Sequence, residues 1–476
     1  MTISPTDFAT LSLPAHVLAN LTQLGYTQMT PIQAASLPVA LLGKDLIAQA
    51  KTGSGKTAAF GIALLANLNA RRFAVQAMVL CPTRELADQV ATEIRRLARA
   101  EENVKVVVLC GGVPLRNQTA TLENGAHIVV GTPGRIMDHL GRGNLNLEAM
   151  NTLVLDEADR MLDMGFFEDI VTVAKQCPKE RQTLLFSATY PEGIAKLSAQ
   201  FMKAPQTITV QAQHEKTKIT QRWYAIDEEV PYSDHEEARM KAVAQVLRHY
   251  RPDSTLAFCN TKSQCRALVA YLKDQGFSAL ALFGELEQRE RDQVLVQFAN
   301  RSCSVLVATD VAARGLDIAQ LAMVINVDVT PDAEVHIHRI GRTGRADQEG
   351  VAISLASMDE MGYVGKIEVL QKAESEWHKL LELTPASNKP LLPPMVTLQI
   401  VGGRKEKIRA GDVLGALTGA DGGVAAFTRE QVGKINVNEF STYVAIERSM
   451  ASLAQQKLSN GGVKGKSVKV RFMDEA

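Results

Sequence analysis

The residues best suited to chemistry begin with a glycine-rich segment at positions 50–57, which reads AKTGSGKT. An apolar run, DLIAQA, precedes it and a helix-like run follows it, which is the setting of a phosphate-binding loop with alanine in place of the first glycine. In such a loop the glycines let backbone N–H groups surround phosphates, Lys56 neutralises the β and γ phosphates, and the Thr57 hydroxyl binds Mg²⁺. The sequence therefore predicts an ATP site that includes Ala50, Thr52, Gly53, Ser54, Gly55, Lys56 and Thr57.

Two carboxylates, Asp156 and Glu157, follow a second apolar run, TLVL. A carboxylate at the end of such a strand is the expected second Mg²⁺ ligand of an NTPase with this loop, and Asp156 occupies that position. Glu157 could orient the attacking water and accept its proton. A solvated acidic loop would carry the same residues, but a phosphate-binding loop roughly 100 residues upstream favours a catalytic pair.

Residues 338–345, HRIGRTGR, concentrate arginine in a glycine-containing segment. Because the planar guanidinium group suits a γ-phosphate, Arg342 and Arg345 are candidate arginine fingers. A basic surface loop is the alternative interpretation. Since the segment lies far from the phosphate-binding loop, we expect ATP to bridge two domains.

Short apolar runs that alternate with helical patterns must position these residues. They are DLIAQA, AMVLCP, VKVVVL, HIVVG, TLVLDE and TLLFSAT, followed by TLAFCN, SALALF, VLVATD, MVINVD and VAISLA. Such runs are typical of strands buried on both faces of a parallel sheet, with functional residues at their carboxyl ends. The last part of the chain instead reads strand, helix, strand, strand, helix, strand, the order of an RRM-like sheet. The predicted fold class is α/β, with two parallel-sheet domains in tandem and a C-terminal α+β RRM-like domain.

Two stretches divide the chain. Residues 211–220 are polar, and residues 384–394 contain four of the 17 prolines. We therefore expect domains at residues 1–210, 217–383 and 395–476, with a proline-rich linker at 384–394. The last domain holds 12 Lys and Arg against 8 Asp and Glu, so it is basic (+4) on a slightly acidic body (−4). This asymmetry suggests a polyanion partner, although chance would produce the same balance.

The composition excludes several classes of protein. Hydrophobic residues make up 46% and charged residues 22%, as in globular domains. The sequence has no apolar run long enough for a membrane span and no recognisable secretory signal. The six cysteines are scattered without a CxxC pair, which argues against a disulfide framework or a zinc site. We expect a cytoplasmic protein without a membrane partner.

Together the motifs and their order resemble the DEAD-box RNA helicases of superfamily two, which have two RecA-like domains in tandem. Residues 25–33, GYTQMTPIQ, resemble the Q motif of this family, with Phe8 as its upstream aromatic. The resemblance implies that Tyr26 stacks on adenine and that Gln33 reads the adenine edge, as an amide can. It also implies that two residues of the segment ATDVAARGLDI face the nucleotide, namely Gly315 and Asp317.

The RNA-backbone motifs of the family are matched in both halves of the core. The resemblance implies RNA contacts from Pro82, Thr83, Arg84, Gly111, Gly112, Thr132, Pro133, Gly134, Arg135, Asn260, Thr261, Arg291 and Thr309. Arginines would pair with phosphates, and glycines would let the backbone approach the strand. Ser187, Thr189 and His338 resemble residues that couple the ATP state to strand separation. The chain departs from the family at Phe283 and Glu285, where a histidine and often an aspartate flank the glycine.

The tail resembles that of one subfamily, the DbpA-type ribosomal RNA helicases, over residues 409–419, 433–435, 443–445 and 461–466. This resemblance implies binding of a hairpin in large-subunit (23S) rRNA and a role in 50S assembly. The residues of the tail themselves include few aromatics for base stacking. For Tyr443, both packing in the core and contact with RNA are open. We hypothesise that basic loops hold the hairpin, and the predicted RNA-contacting residues are Arg404, Lys405, Lys407, Tyr443, Lys464, Lys466, Lys469 and Arg471.

The predicted function is ATP-dependent local unwinding of short RNA helices, with ATP and Mg²⁺ as cofactors. ATP and RNA would close the two core domains, and hydrolysis would reopen them. The alternatives are a general RNA helicase without rRNA specificity, a DNA helicase, an ATP-gated RNA clamp and an assembly factor whose tail binds protein. No pattern indicates a coiled coil, so a monomer is favoured.

Overall fold

The computed structural model describes residues 6–50, 53–101, 103–190, 192–210, 219–226, 235–313, 321–344, 349–387, 389–419 and 427–473. The described residues up to 210 form one compact unit, and those from 219 to 313 and from 321 onward form a second.

A seven-stranded parallel sheet forms the centre of the first unit. Its strands are β1 (Leu46–Gln49), β2 (Ala77–Leu80), β3 (Val106–Leu109), β4 (Ile128–Gly131), β5 (Thr152–Leu155), β6 (Gln182–Ser187) and β7 (Gln206–Thr209). They pair in the order β3-β4-β2-β5-β6-β1-β7. Successive residues of a strand enter different hydrophobic clusters, as when Leu153 and Leu155 join one cluster and Val154 the other. The sheet is therefore covered on both faces, which explains the unbroken apolar runs.

The helices of this unit connect the strands. They are α1 (Ala15–Gln23), α2 (Pro31–Leu41), α3 (Lys56–Ala66), α4 (Arg84–Leu97), α5 (Leu115–Glu123), α6 (Pro133–Gly141), α7 (Ala158–Asp163), α8 (Phe167–Gln176) and α9 (Glu192–Phe201). Helix α4 shows why the sequence folds this way: Thr83 caps its first turn, and its apolar residues recur at helical spacing on the buried side.

The second unit contains a parallel sheet of the same design. Its strands are β8 (Ile219–Ala225), β9 (Thr255–Phe258), β10 (Ala279–Leu282), β11 (Val305–Ala308), β12 (Met323–Asn326), β13 (Gly350–Ala356) and β14 (Trp377–His378). Their order, β10-β11-β9-β12-β13-β8-β14, repeats that of the first sheet strand for strand. The helices are α10 (His235–Tyr250), α11 (Lys262–Asp274), α12 (Gln288–Ala299), α13 (Asp310–Ala313), α14 (Ala333–Ile340) and α15 (Met361–Gln371).

The tail forms a small antiparallel sheet with two helices. Its elements are β15 (Met395–Val401), α16 (Ala410–Thr418), β16 (Val432–Val437), β17 (Ser441–Glu447), α17 (Ala451–Gly461) and β18 (Lys469–Phe472). The strands pair in the order β16-β17-β15-β18. The predicted fold class is confirmed: two parallel-sheet domains in tandem are followed by an α+β domain with the expected order of elements.

The tail sheet packs against the second parallel-sheet domain through the face that does not carry its helices. Thr397 on this face accepts a hydrogen bond from the Asn300 side chain (3.1 Å), and its hydroxyl lies 2.6 Å from that of Ser302. The Asn436 amide also donates to Asn300, at 3.2 Å. Thr397 and Ser302 are fully buried. The tail and this domain therefore share a buried polar contact.

The first of the two segments interpreted as linkers differs in part from expectation. Residues 211–218 lie outside the described residues, but β8 already begins at Ile219, so residues 219 and 220 belong to a strand. The proline-rich segment is held in place, since the Arg251 guanidinium donates to the carbonyls of Lys389 (2.7 Å) and Pro390 (3.2 Å). In the part of the chain that the structure describes, no helix is long and apolar enough to cross a bilayer.

Candidate nucleotide and RNA site

The sheet order of the first unit separates two groups of motifs along one edge. The predicted ATP motifs follow β1 and β5 and the predicted coupling motif follows β6, which lies between them, while the predicted RNA motifs follow β2, β3 and β4. Backbone hydrogen bonds tie adjacent strand ends together, as when the Ala50 N–H donates to the Ser187 carbonyl at 3.0 Å. Because carboxyl ends of parallel strands meet at one edge, motifs distant in sequence lie side by side.

The phosphate-binding loop has the backbone that its glycines predict. Gly53 (φ 81°) and Gly55 (φ 93°) both lie in the left-handed region, and Gly55 immediately precedes α3. Lys56 is 5% exposed, and its ammonium group donates to the Ala50 carbonyl at 2.8 Å. The lysine is therefore held over the loop by its own backbone. Thr52 lies outside the described residues.

Gln33, in the segment that resembles the Q motif, also contacts the phosphate-binding loop. Its amide nitrogen donates to the Gly55 carbonyl at 3.0 Å, and its amide oxygen accepts from the Thr30 N–H at 2.9 Å. A Cβ added to Gly55 would lie 2.5 Å from the same amide nitrogen. Glycine is therefore required here by both backbone angle and close approach. Sequence reasoning did not predict this contact, and adenine reading by Gln33 stays a prediction.

Asp156 is a buried carboxylate directly after β5. Burial and the neighbouring Glu157 charge raise its pKa to about 7, an effect that Lys56 partly offsets. A divalent cation would remove that penalty, because it supplies the missing positive charge. The Asp156 carboxylate and the Thr57 hydroxyl are the hard oxygen ligands that Mg²⁺ prefers, so the residues present fit the ion.

Glu157 adopts a left-handed backbone (φ 52°), which is uncommon for a side chain of this type. Its carboxylate accepts a 2.6 Å ion-paired hydrogen bond from Arg160, and both side chains are less than a tenth exposed. In this backbone conformation the carboxylate of Glu157, the candidate base, is held by its ion pair with Arg160. In the sequence, only the spacing of three residues between Glu157 and Arg160 would have pointed to this ion pair.

Asp159 connects this segment to residues 187–189. One carboxylate oxygen accepts from the Ala188 N–H (3.0 Å), the Thr189 N–H (2.8 Å) and the Thr189 hydroxyl (2.9 Å). Burial alone would raise the pKa of Asp159, but these hydrogen bonds and Lys56 lower it overall. The carboxylate is thus satisfied as an anion, and it ties Ala188 and Thr189 to the acidic motif.

The RNA motifs of the first unit sit where helices begin. Thr83 caps α4, Arg84 is its first residue, and Pro133 is the first residue of α6. Arg135 donates to the Val113 carbonyl (2.8 Å) and to Gln118 (2.9 Å). Among the other predicted residues, Gly112 has a positive φ of 77°, and Gly111 has no neighbour within 4 Å of an added Cβ. These places suit a phosphate backbone, and RNA contact there stays a prediction.

In the second unit the motif residues surround two buried arginines that the sequence did not single out. Arg339 donates to the Asn260 side chain (3.0 Å) and pairs with Asp310 (2.7 Å). Arg239 pairs with Glu360 (2.6 Å) and lies 3.7 Å from Asp328. The Asn260 N–H in turn donates to Asp328 at 2.9 Å. Only their burial distinguishes these arginines, and burial is not visible in a single sequence.

The remaining second-unit predictions divide by position. Arg342 is 7% exposed just beyond α14, which contains His338, and Arg291 donates to the Ala312 carbonyl at 2.8 Å. Thr261 caps α11, and the Thr309 N–H donates to the Leu282 carbonyl. Three predicted residues lie outside the described residues, namely Gly315, Asp317 and Arg345.

The departure from the family pattern has a local structural explanation. Phe283 is 6% exposed and lies under the Arg266 guanidinium, 4.7 Å from the ring centroid. Glu285 forms an ion pair with Lys262. Both residues therefore have partners within the second domain, and Phe283 acts as a packing residue.

In the tail, the predicted basic residues and Tyr443 behave differently. Arg404, Lys405, Lys407, Lys464, Lys466, Lys469 and Arg471 are all exposed. Tyr443 is only 4% exposed on the strand next to Thr397, where the sheet faces the second domain. Base stacking on Tyr443 would require this face to be open, and RNA contact by Tyr443 stays a prediction. Its burial arises from domain packing, which strand alternation does not predict.

Sequence reasoning passed over Phe440, which the structure places beside the basic residues. Its ring is 59% exposed, with the Lys405 ammonium 4.2 Å from the centroid. The hairpin turn that carries it accepts backbone hydrogen bonds from Gly402, Arg404 and Lys405. An exposed aromatic on a fixed turn next to lysines is a suitable surface for an unpaired base.

Three family models match successive parts of the chain: DEAD/DEAH box helicase over residues 30–197, helicase conserved C-terminal domain over 238–347, and DbpA RNA binding domain over 397–472. The chain is 48% identical to the ATP-dependent RNA helicase DbpA of Escherichia coli (strain K12), over 98% of this chain and 100% of that one. It is 37% identical to DbpA of Bacillus subtilis (strain 168), over 97% and 98% of the two chains.

Among solved structures, Dbp5 of S. cerevisiae bound to RNA and ADP BeF3 is similar, with a TM-score of 0.70 and 28% identity. The match covers 79% of this chain and 96% of that one. The chain thus belongs to the DEAD-box ATP-dependent RNA helicases, and its tail assigns it to the DbpA type within that family. It uses ATP, binds RNA and is an RNA-dependent ATPase, as the motifs predicted.

Proposed function

We propose that this helicase is directed by its tail to a hairpin of 23S rRNA and acts, as a monomer in the cytoplasm, in assembly of the 50S subunit. The observation that carries the proposal is the division of the tail surface. The sheet face on which an ordinary RRM stacks bases is packed on the second domain, while exposed lysines and Phe440 remain on the loops. The resemblance of the tail to the DbpA-type rRNA helicases supports the choice of RNA.

The two basic loops of the tail, residues 402–409 and 462–468, form one fixed surface. Lys407 (φ 62°) and Lys464 (φ 55°) both have left-handed backbones, which non-glycine residues adopt at a cost that often marks functional sites. The Lys464 ammonium donates to the Lys407 carbonyl at 3.3 Å, so the loops contact each other. Lys469 pairs with Val401 at the start of the first loop. A hairpin offers this surface both closely spaced phosphates and unstacked loop bases.

We propose roles for the core residues as follows. Lys56 and the loop glycines bind the phosphates of ATP, and Thr57 and Asp156 hold Mg²⁺, which would neutralise charge on the transferred phosphate. Glu157 orients the attacking water and accepts its proton. Arg342 and Arg345 stabilise the γ-phosphate charge when ATP and RNA bring the two units together. RNA is held through its backbone by the motif residues of both parallel-sheet domains.

The first experiment measures the ATPase rate against added RNA, for the full chain and for a chain that ends at residue 390. The RNAs are intact large-subunit rRNA, an unrelated structured RNA and poly(A). We expect strong stimulation by rRNA alone, lost on truncation. Equal stimulation by all three RNAs would reject rRNA targeting and leave a general RNA helicase.

A second experiment tests the surface itself by measuring hairpin affinity at several salt concentrations. The triple variant Lys464→Ala, Lys466→Ala, Lys469→Ala should weaken binding and reduce the salt slope by about 3, and F440A should weaken binding roughly tenfold without changing that slope. Lys241→Ala, on an exposed helix face of the second domain, is the matched control. Unchanged affinity and salt slope in the triple variant would remove this surface from the proposal.

A further inference from the structure

Tyr26 is anchored through its hydroxyl to helix α4. The Tyr26 hydroxyl donates to one carboxylate oxygen of Glu93 at 2.5 Å, and the other oxygen accepts from Arg96 at 2.7 Å. The Glu93 side chain is 19% exposed, so the contact is largely shielded from solvent. Burial, followed by the hydrogen bond to Glu93, raises the pKa of Tyr26 well above its ordinary value. The hydroxyl therefore stays protonated and donates throughout the working pH range.

Besides this hydrogen bond, Tyr26 is held by its backbone and by packing of its ring against a small apolar cluster. The Tyr26 N–H donates to the Leu21 carbonyl at 2.9 Å, and the Phe8 ring meets the tyrosine edge-on, with centroids 6.2 Å apart. The residue before it, Gly25, has a φ of 88°, a backbone conformation that glycine adopts readily because it has no Cβ. A side chain that follows such a glycine gains a defined orientation from a second attachment at its far end.

We infer that Glu93 is a positioning residue for the base of ATP, because it fixes the ring of Tyr26 in the orientation that stacks on adenine. The inference rests on the adenine contact of Tyr26 that the family resemblance implies. A hydrogen bond to a carboxylate is stronger than one between neutral groups, and stacking requires a defined ring plane. A ring ordered before ATP arrives lowers the entropic cost of binding.

The placement of Glu93 also gives the contact a structural consequence. Helix α4 begins at Arg84, a predicted RNA contact, and carries Glu93 further along the same helix. The residue that orders the adenine stack therefore belongs to the element that presents an RNA motif. No motif of the family resemblance includes Glu93, and only the structure brings it to Tyr26.

The test uses the full chain with saturating RNA and measures KM for ATP, kcat, and inhibition by tripolyphosphate, a competitor that lacks the base. We expect Glu93→Ala and Tyr26→Phe each to raise KM for ATP roughly three- to tenfold, with kcat changed less than about twofold. The KM of the double variant should be no higher than that of either single variant, since both substitutions remove the same hydrogen bond. Glu93→Gln keeps an acceptor and should recover part of the loss.

Tripolyphosphate inhibition should stay unchanged in all of these variants, which a general loss of structure would not allow. Thr92→Ala is the control, because Thr92 is exposed on the same helix and its hydroxyl donates to the Asp88 carbonyl rather than to Glu93; KM is expected near that of the parent chain. Tyr26→Ala separates the two levels of the argument. If it raises KM while Glu93→Ala and Tyr26→Phe do not, the positioning role of Glu93 is overturned alone. If Tyr26→Ala leaves KM unchanged, the adenine contact and the inference fall together.

Discussion

The two parallel sheets share one strand order but treat the carboxylate after their fifth strand in opposite ways. In the first sheet Asp156 follows β5, and burial together with the Glu157 charge raises its pKa to about 7, because Lys56 compensates its negative charge only in part. In the second sheet Asp328 lies just beyond β12 and is 4% exposed. Its charge is paired with that of Arg239, and its carboxylate accepts a hydrogen bond from the Asn260 N–H. The same place in one topology thus holds either the carboxylate proposed to bind Mg²⁺ or a carboxylate in an internal ion pair. Topology provides the position, and the neighbouring residues decide whether it becomes catalytic or structural.

The largest expected effect follows from removing this buried carboxylate. Asp156→Asn should lower RNA-stimulated ATPase activity roughly 10³-fold, because the proposed Mg²⁺ ligand and its charge are lost. The free energy of unfolding should stay the same or rise, since a costly buried carboxylate is removed. ATPase assays and urea denaturation measure the two quantities. A large loss of unfolding free energy in Asp156→Asn would instead show that Asp156, like Asp328, stabilises the fold.

The corresponding change in the second sheet should affect stability first. Arg239→Met leaves Asp328 and Glu360 as buried charges without their partner, which should cost about 3–5 kcal/mol of unfolding free energy. Urea denaturation followed by tryptophan fluorescence reports this domain, because both tryptophans of the chain, at positions 223 and 377, belong to it. Lys241→Met on the same helix is exposed and should change stability by less than about 0.5 kcal/mol.

A smaller, pH-dependent effect distinguishes the second sheet further. Burial and the nearby Arg339 charge lower the pKa of His336, which stacks on Trp223, from 6.5 to about 4. The unfolded chain therefore binds more protons between these values, so stability should fall as pH decreases from 6.5, by about 2 kcal/mol at pH 5. His336→Phe should remove this part of the pH dependence. Parallel pH profiles of the two proteins would contradict the assignment.

The smallest effect concerns a carboxylate of the first sheet that, unlike Asp156, is satisfied. Asp159→Asn weakens the hydrogen bonds to Ala188 and Thr189 but leaves the phosphate-binding loop intact. We expect the amount of duplex unwound per ATP hydrolysed to fall roughly tenfold, with a smaller change in ATPase rate. A helicase assay coupled to phosphate release gives the ratio. Equal losses of both activities would mean that Asp159 supports hydrolysis rather than coupling.

The sequence predicted most strands because apolar runs buried on both faces carry their own signal, and β5 with its acidic end is the clearest case. It missed β8, which is partly polar, and β14, which is a two-residue strand at the edge of the sheet. Chemical motifs were visible because glycine and charged residues repeat at fixed spacing. Contacts such as Gln33 with Gly55, or the burial of Tyr443, depend on tertiary packing and have no local pattern.

The hydrogen bond between Gln33 and Gly55 has a kinetic consequence. One amide supports the turn that surrounds the phosphates and, in the proposed site, also meets the base. A nucleotide with the wrong base would compete for that amide and disturb the loop on which phosphate transfer depends. Discrimination between nucleotides should then appear in the turnover number as well as in affinity, so that a poorly matched base is rejected at the chemical step.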